Sequence, residues 1–188
     1  MIKAKYTDKN LIVNILAGSF DENKSVNYII KQDGKRAQRI KELMEYSFEM
    51  CYSFGEVYLS NNKKACALIL FPDEKKTNFK SVLLDIKLII TSIGSKLFKA
   101  LNRESKIKEC QTKGLMYYLW FIGVDPNEQN KGIGSALMQE VIAEGNSMQR
   151  PVCLETSTLK NIPWYEKFGF QIYNELDLGY TLFFMKKE

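Results

Sequence analysis

Apolar positions recur at helical spacing through most of the first half of the chain, and in short extended runs through the second. Asp8 precedes Leu11, Ile12, Ile15 and Leu16, a run that ends at Gly18 and predicts a helix capped by Asp8. A second helix is expected over about Ser25 to Gln32, and a third over about Lys35 to Tyr52. The third carries Ile40, Leu43, Met44, Phe48 and Cys51 on one face and stops before Gly55. Val57–Leu59 and Ala65–Phe71 flank Ser60-Asn61-Asn62-Lys63-Lys64 and predict a hairpin. Ser81–Leu101 is the most apolar stretch. Asp85 and Lys87 interrupt it, so it reads as a buried or groove-lining helix and not as a membrane span.

Leu115 to Val124 is nearly all apolar and aromatic, the pattern of a central strand covered on both faces. Gly123, inside it, is expected to mark a bulge. A helix follows over about Gly132 to Met148, then a strand at Pro151–Thr156. Ile162–Phe168 forms a short helix with Pro163 in its first turn and Gly169 beyond its end. Gln171–Leu178 and Tyr180–Lys187 close the chain as a hairpin. The order is α/β, read as one domain over residues 1–188. Residues 1–114 form the helical half and 115–188 the strand-rich half.

Composition narrows the chemistry. With 188 residues, 45% hydrophobic and 26% charged, the chain can bury a core without staples. Histidine is absent, which removes Ser-His-Asp and Cys-His catalysis and His-containing zinc sites. Cys51, Cys66, Cys110 and Cys153 are too dispersed for a metal cage and read as free thiols in a reducing cytoplasm. No metal is expected. The first residues lack the apolar core of a signal peptide. The net charge of +5 is spread as scattered lysines and small groups, so no nucleic-acid partner is expected, and no membrane partner either.

The informative stretch is Val124-Asp125-Pro126-Asn127-Glu128-Gln129-Asn130-Lys131-Gly132-Ile133-Gly134-Ser135. Strand, polar turn, two glycines and a helix start together form an anion cradle. It lacks the lysine after the second glycine that a Walker loop needs, and Leu137 stands where a dinucleotide fingerprint needs its third glycine. Gln129-x-x-Gly132-x-Gly134 resembles instead the acetyl-CoA loop of the GNAT superfamily of N-acetyltransferases. Further on, Asn161-Ile162-Pro163-Trp164-Tyr165-Glu166-Lys167-Phe168-Gly169-Phe170 resembles that superfamily's Tyr-x-x-x-Gly-Phe element. Leu154 to Tyr165 looks most like the small-molecule branch that includes puromycin acetyltransferase.

The resemblance implies a mixed, mostly antiparallel sheet with helices on both faces, splayed at its central strands. It implies acetyl-CoA as co-substrate and a small-molecule amine as acceptor, attacked directly in a ternary complex by a monomer or homodimer. The alternatives are a protein N-terminal or lysine acetyltransferase, or a non-catalytic acyl-CoA sensor. The backbone of Ile122 and Val124 should pair with the pantetheine amides. The N–H groups of Asn130, Lys131, Gly132, Ile133, Gly134 and Ser135 should take the pyrophosphate, with Gln129 opening the loop. Tyr165 is the candidate acid for the leaving thiolate, and Glu155 the leading carboxylate for the base, ahead of Asp125 and Glu128. Asn161 is a candidate for the cofactor arm, although the family's asparagine sits where Thr158 stands here. Tyr28, Phe48, Tyr52, Phe54 and the Ser81–Leu101 helix are candidates for the acceptor pocket by location.

Overall fold

A computed structural model describes residues 1–76 and 79–188. Seven strands form one sheet in the order β1-β2-β3-β4-β5-β7-β6. They are β1 (Ile2–Lys3), β2 (Gly55–Leu59), β3 (Ala65–Leu70), β4 (Tyr117–Val124), β5 (Val152–Thr156), β6 (Gln171–Asp177) and β7 (Thr181–Lys187). Every neighbouring pair is antiparallel except β4 with β5. The helices are α1 (Lys9–Ser19), α2 (Lys24–Ile29), α3 (Arg36–Phe54), α4 (Phe79–Leu88), α5 (Leu97–Cys110), α6 (Ile133–Ser147) and α7 (Ile162–Glu166).

The sheet divides the core in two. Ile12 and Leu16 of α1 and Ile40, Met44 and Phe48 of α3 pack on one face with Leu68, Tyr118 and Phe121. Leu137, Met138 and Val141 of α6 pack on the other with Tyr117, Leu119, Leu154 and Tyr165. β4 is therefore covered on both sides, as its unbroken apolar run requires. Asp8 does precede α1, but its carboxylate turns back to accept from the Lys5 backbone N–H at 2.9 Å and does not cap the helix.

The bulge in β4 is at Trp120 and not at Gly123. Leu68 opposes Phe121 and Ile69 opposes Leu119, so Trp120 is the extra residue. It puts Trp120 and Phe121 on the same face, and they share the α1–α3 core. Gly123 is instead a close-approach position. A Cβ there would lie 2.9 Å from Leu16 Cδ2 and 3.0 Å from Ser19 Oγ.

The Ser81–Leu101 segment also departs from expectation. It is not one helix. α4 ends at Leu88, a wide π turn follows over Ile89–Ile93, Gly94 turns the chain at φ +55°, and α5 then runs on to Cys110. Nor is it mainly buried. Val82, Leu83, Ile86, Ile90, Phe98 and Leu101 are exposed, while Ser81, Ser92, Ile93 and Ala100 face inward. An amphipathic stripe has the same spacing whichever way it faces, so the apolar positions alone did not give the side. Among the described residues no helix is long and apolar enough to cross a membrane.

Candidate active site

The parallel strands β4 and β5 meet only at Tyr117–Val152 and Tyr118–Cys153, and Tyr117 N–H donates to Pro151 O at 2.9 Å. Past that point the two strands part. The remaining residues of β4 keep their pairing to β3 on the other edge, up to Asp125 N–H on Lys64 O at 2.8 Å. Backbone groups of successive strand residues alternate between edges. Those of Ile122 and Val124 therefore point into the opening. The Val124 carbonyl is already engaged there: it accepts from the Ser19 hydroxyl at 2.6 Å and from Gln129 Nε2 at 3.4 Å. Both backbone groups of Ile122 and the Val124 N–H remain for an extended amide chain.

On the α6 side of the opening, the loop after β4 forms the cradle. Asn130 and Gly132 both have positive φ, +63° and +78°, which turns successive N–H groups inward as a nest. Nothing lies within 4 Å of where a Gly132 side chain would be. The first bond inside α6 is Ala136 N–H to Gly132 O at 3.0 Å. The N–H groups of Ile133, Gly134 and Ser135 thus have no partner in the helix, and they sit at its positive end. Gly134 leaves room for Val124, whose Cγ2 is 3.1 Å from an ideal Cβ. Lys131 Nζ pairs with Glu128 at 2.9 Å, so an incoming anion would compete for it.

Tyr165 lies on this same face. It is buried, its ring 5.0 Å from that of Trp164 and 5.9 Å from that of Phe170. Burial pushes its hydroxyl above the ordinary phenol value, which keeps it protonated. Asn161 starts α7 without capping it by its side chain.

Glu155 lies on the opposite face. It alternates with Cys153, which belongs to the α1–α3 core, and the Tyr118 hydroxyl donates to its Oε2. Burial raises the Glu155 carboxyl above the usual carboxylate range, while the Tyr118 and Gln111 hydrogen bonds and the Arg103 charge pull it back. The opening between β4 and β5 thus has the Tyr165 phenol on one face and the Glu155 carboxylate on the other. Sequence reasoning named both residues as candidates and did not name Tyr118 or Gln111, because contacts between distant parts of the chain leave no local pattern.

Other expected residues are placed elsewhere. Phe48 is fully buried in the α1–α3 core, and Phe54 is half-buried against it. Tyr52 stacks on Phe48 at 5.4 Å and stays exposed near Tyr6. Tyr28 sits edge-on to Tyr180 at 5.3 Å, under the Lys99 ammonium at 3.8 Å. Asp125 caps the turn after β4 by accepting from the Asn127 N–H, and Glu128 is held by Lys131. Among the described residues no three His, Cys, Asp or Glu side chains gather as a metal group.

Residues 94–172 match the family model described as an acetyltransferase (GNAT) domain. A Corynebacterium glutamicum structure described as histone acetyltransferase HPA2 and related acetyltransferase superposes with a TM-score of 0.70 at 17% identity. It covers 99% of this chain and 93% of its own. The C-terminal condensation domain of Ebony, solved with beta-alanyl-dopamine, gives 0.66 at 12% identity, covering 100% and 97%. Arylalkylamine N-acetyltransferase 2 from Aedes aegypti gives 0.62 at 15%, covering 99% and 96%. The chain has the GNAT acetyltransferase fold. The family match begins at Gly94 and ends at Ile172, so it takes in the glycine loop, the strands β4 and β5 and α7. α1 to α3 and the first hairpin lie outside it and align with GNAT structures by shape alone.

Proposed function

We propose that this protein transfers an acetyl group from acetyl-CoA to the primary amine of a small molecule, by direct attack in a ternary complex. The observation that carries this reading is the opening between β4 and β5, with free helix N–H groups and Tyr165 on one face and Glu155 on the other. The loop residues fit the co-substrate. Asn130 to Ser135 offer backbone donors to a pyrophosphate, and Ile122 and Val124 offer an edge to the pantetheine arm. Asn161, at the start of α7, is assigned to that arm from its place before Tyr165.

Glu155 takes a proton from the acceptor ammonium, leaving a neutral amine. Its nitrogen attacks the thioester carbonyl, the C–N bond forms and the C–S bond breaks. Tyr165 gives its hydroxyl proton to the departing thiolate, and the surplus proton on the acylated nitrogen passes through water to the phenolate left on Tyr165, which gives the neutral amide. A carboxylate raised by burial suits the first role, and a phenol kept protonated by burial suits the second. Cys51 and Cys66 are fully buried with thiols pushed up by burial, which leaves no activated thiolate among them for a ping-pong route. The free thiols Cys51, Cys66, Cys110 and Cys153 suit a reducing cytoplasm.

The small-molecule reading is supported by the 71–116 segment, which inserts two helices between β3 and β4 on the Glu155 side. Neighbours that act on arylalkylamines share this fold over nearly their whole length. The likeness to the puromycin acetyltransferase branch rests on Leu154 to Tyr165 and proposes an aminonucleoside among the acceptors to be tried. The test is free-thiol release from acetyl-CoA across small amines, aminonucleosides and peptides. Turnover with small amines supports the reading. Turnover with peptides alone makes the protein a protein acetyltransferase. Acetyl-CoA binding with no turnover on any acceptor makes it a sensor.

A further inference from the structure

Both oxygens of Glu155 are held. Oε1 accepts from Gln111 Nε2 at 2.8 Å, and Oε2 accepts from the Tyr118 hydroxyl. The two donors come from separate elements. Gln111 immediately follows α5, and its own N–H closes that helix on Ile107 O at 2.9 Å. Tyr118 is the last residue of β4 to pair with β5, so it stands where the strands part. Neither residue belongs to a motif by which the chain resembles the GNAT superfamily.

The groups around the carboxylate are of both signs. On α5, Arg103 favours its charged form and Glu104 opposes it. Arg103 is fixed in place by Ser25 and Tyr180, with a side chain only 12% exposed. Cys153 on β5 and Tyr173 on β6 lie close, and Lys186 on β7 lies beyond Cys153. Burial raises the affinity of the Glu155 carboxylate for a proton, and the hydrogen bonds from Tyr118 and Gln111 to the charged form offset part of that rise.

We infer that Tyr118 and Gln111 are positioning residues that hold the Glu155 carboxylate at the mouth of the strand opening in its proton-accepting form. This rests on the reading of Glu155 as the base. α5 is then part of the catalytic apparatus, since it supplies Arg103 and sets the place of Gln111. The 71–116 insertion does more than cover the acceptor side.

The test is the pH dependence of kcat/KM for an accepted amine, measured for wild type, Tyr118→Phe and Gln111→Met. Wild-type activity falls on the acid side as Glu155 takes up a proton. Each variant removes one donor to the charged carboxylate, a bond of about 1.5–3 kcal/mol, so the acid limb moves up by about one to two pH units. Activity then drops about tenfold or more within the limb, and most of that loss is recovered above it. Acetyl-CoA affinity stays unchanged. A merely structural role would lower activity equally at every pH, and that result overturns the inference. Titration of the Glu155 carboxyl by carbon NMR, without acceptor, should show the same displacement. Glu155→Gln separates the two readings. If it keeps wild-type turnover, the base assignment fails and this inference with it. If it abolishes turnover while Tyr118→Phe and Gln111→Met leave the limb in place, the base stands and the inference alone fails.

Discussion

The indole N–H of Trp164 donates to the Ser135 hydroxyl across 3.0 Å. One residue belongs to the short helix that presents Tyr165, and the other to the first turn of the helix that opens the glycine loop. The same indole lies 3.9 Å from where a Gly134 side chain would be. The proposed acid and the proposed phosphate cradle are therefore one packed unit. Trp164→Phe keeps an aromatic ring and removes the donor, which should cost about 1 kcal/mol and lower Tm by about 2–4 °C. Acetyl-CoA should bind a few-fold more weakly, because the first turn of α6 loses its brace. In a double-mutant cycle with Ser135→Ala, thermal melts should be non-additive. Full additivity would show that the contact does no more than fill space.

Gly134→Asp should abolish acetyl-CoA binding while the protein still folds. The new Cβ would sit 3.1 Å from Val124 Cγ2, tight enough to displace the start of α6. The new carboxylate would stand at a helix N-terminus where an anion has to bind, and two negative groups cannot share it. Calorimetry at millimolar acetyl-CoA should show no heat for the variant and saturable binding for wild type. Equal affinity would place the pyrophosphate elsewhere.

Gly123→Ala should destabilise the fold by about 1–3 kcal/mol, because a methyl group has no space against α1. Leu16 Cδ2 and Ser19 Oγ would both lie at or below 3.0 Å from it. Ser19 also holds the Val124 carbonyl at 2.6 Å, so displacing α1 should loosen the strand edge at the opening. Denaturant melts measure the first effect, and acetyl-CoA affinity the second. A variant as stable as wild type would show that α1 shifts freely.

The contrast between Gly123 and the glycines of the loop shows what could be read in advance. The loop and the Tyr165 element are contiguous, and their spacing follows local backbone chemistry, so the sequence carries them. The β4 run and the closing hairpin are likewise local, and both formed as expected. Gly123 is different, because the reason for it lies on α1, more than a hundred positions away in the chain. The extra residue at Trp120 is a matter of register against β3, which no single strand reveals. β1, with only Ile2 and Lys3, is too short to leave a pattern and exists because β2 offers it an edge. The break between α4 and α5 was hidden because Ile89, Ile90 and Ile93 continue the apolar run through the π turn. Glu155 was a candidate from its strand position, but its partners Tyr118 and Gln111 needed the fold.

Tyr165→Phe should lower turnover by about 10²–10⁴ while leaving acetyl-CoA affinity nearly intact, the usual loss for a missing general acid. Phenylalanine keeps the ring, and with it the contacts to Trp164 and Phe170. No described residue hydrogen-bonds the Tyr165 hydroxyl, so its removal leaves no orphaned partner and the fold should be no less stable. Melting temperature and turnover are thus expected to part company. The pH profile sharpens the test. A phenol in water begins to ionise near pH 10, and an enzyme relying on such a group as acid would lose activity there. Burial disfavours the phenolate, so the wild-type protein should hold its activity through pH 10 and lose it only above. A basic limb well below pH 10 that survives in Tyr165→Phe would belong to another group. Turnover of the variant within a few-fold of wild type would make Tyr165 a packing residue, with water as the proton source for the thiolate.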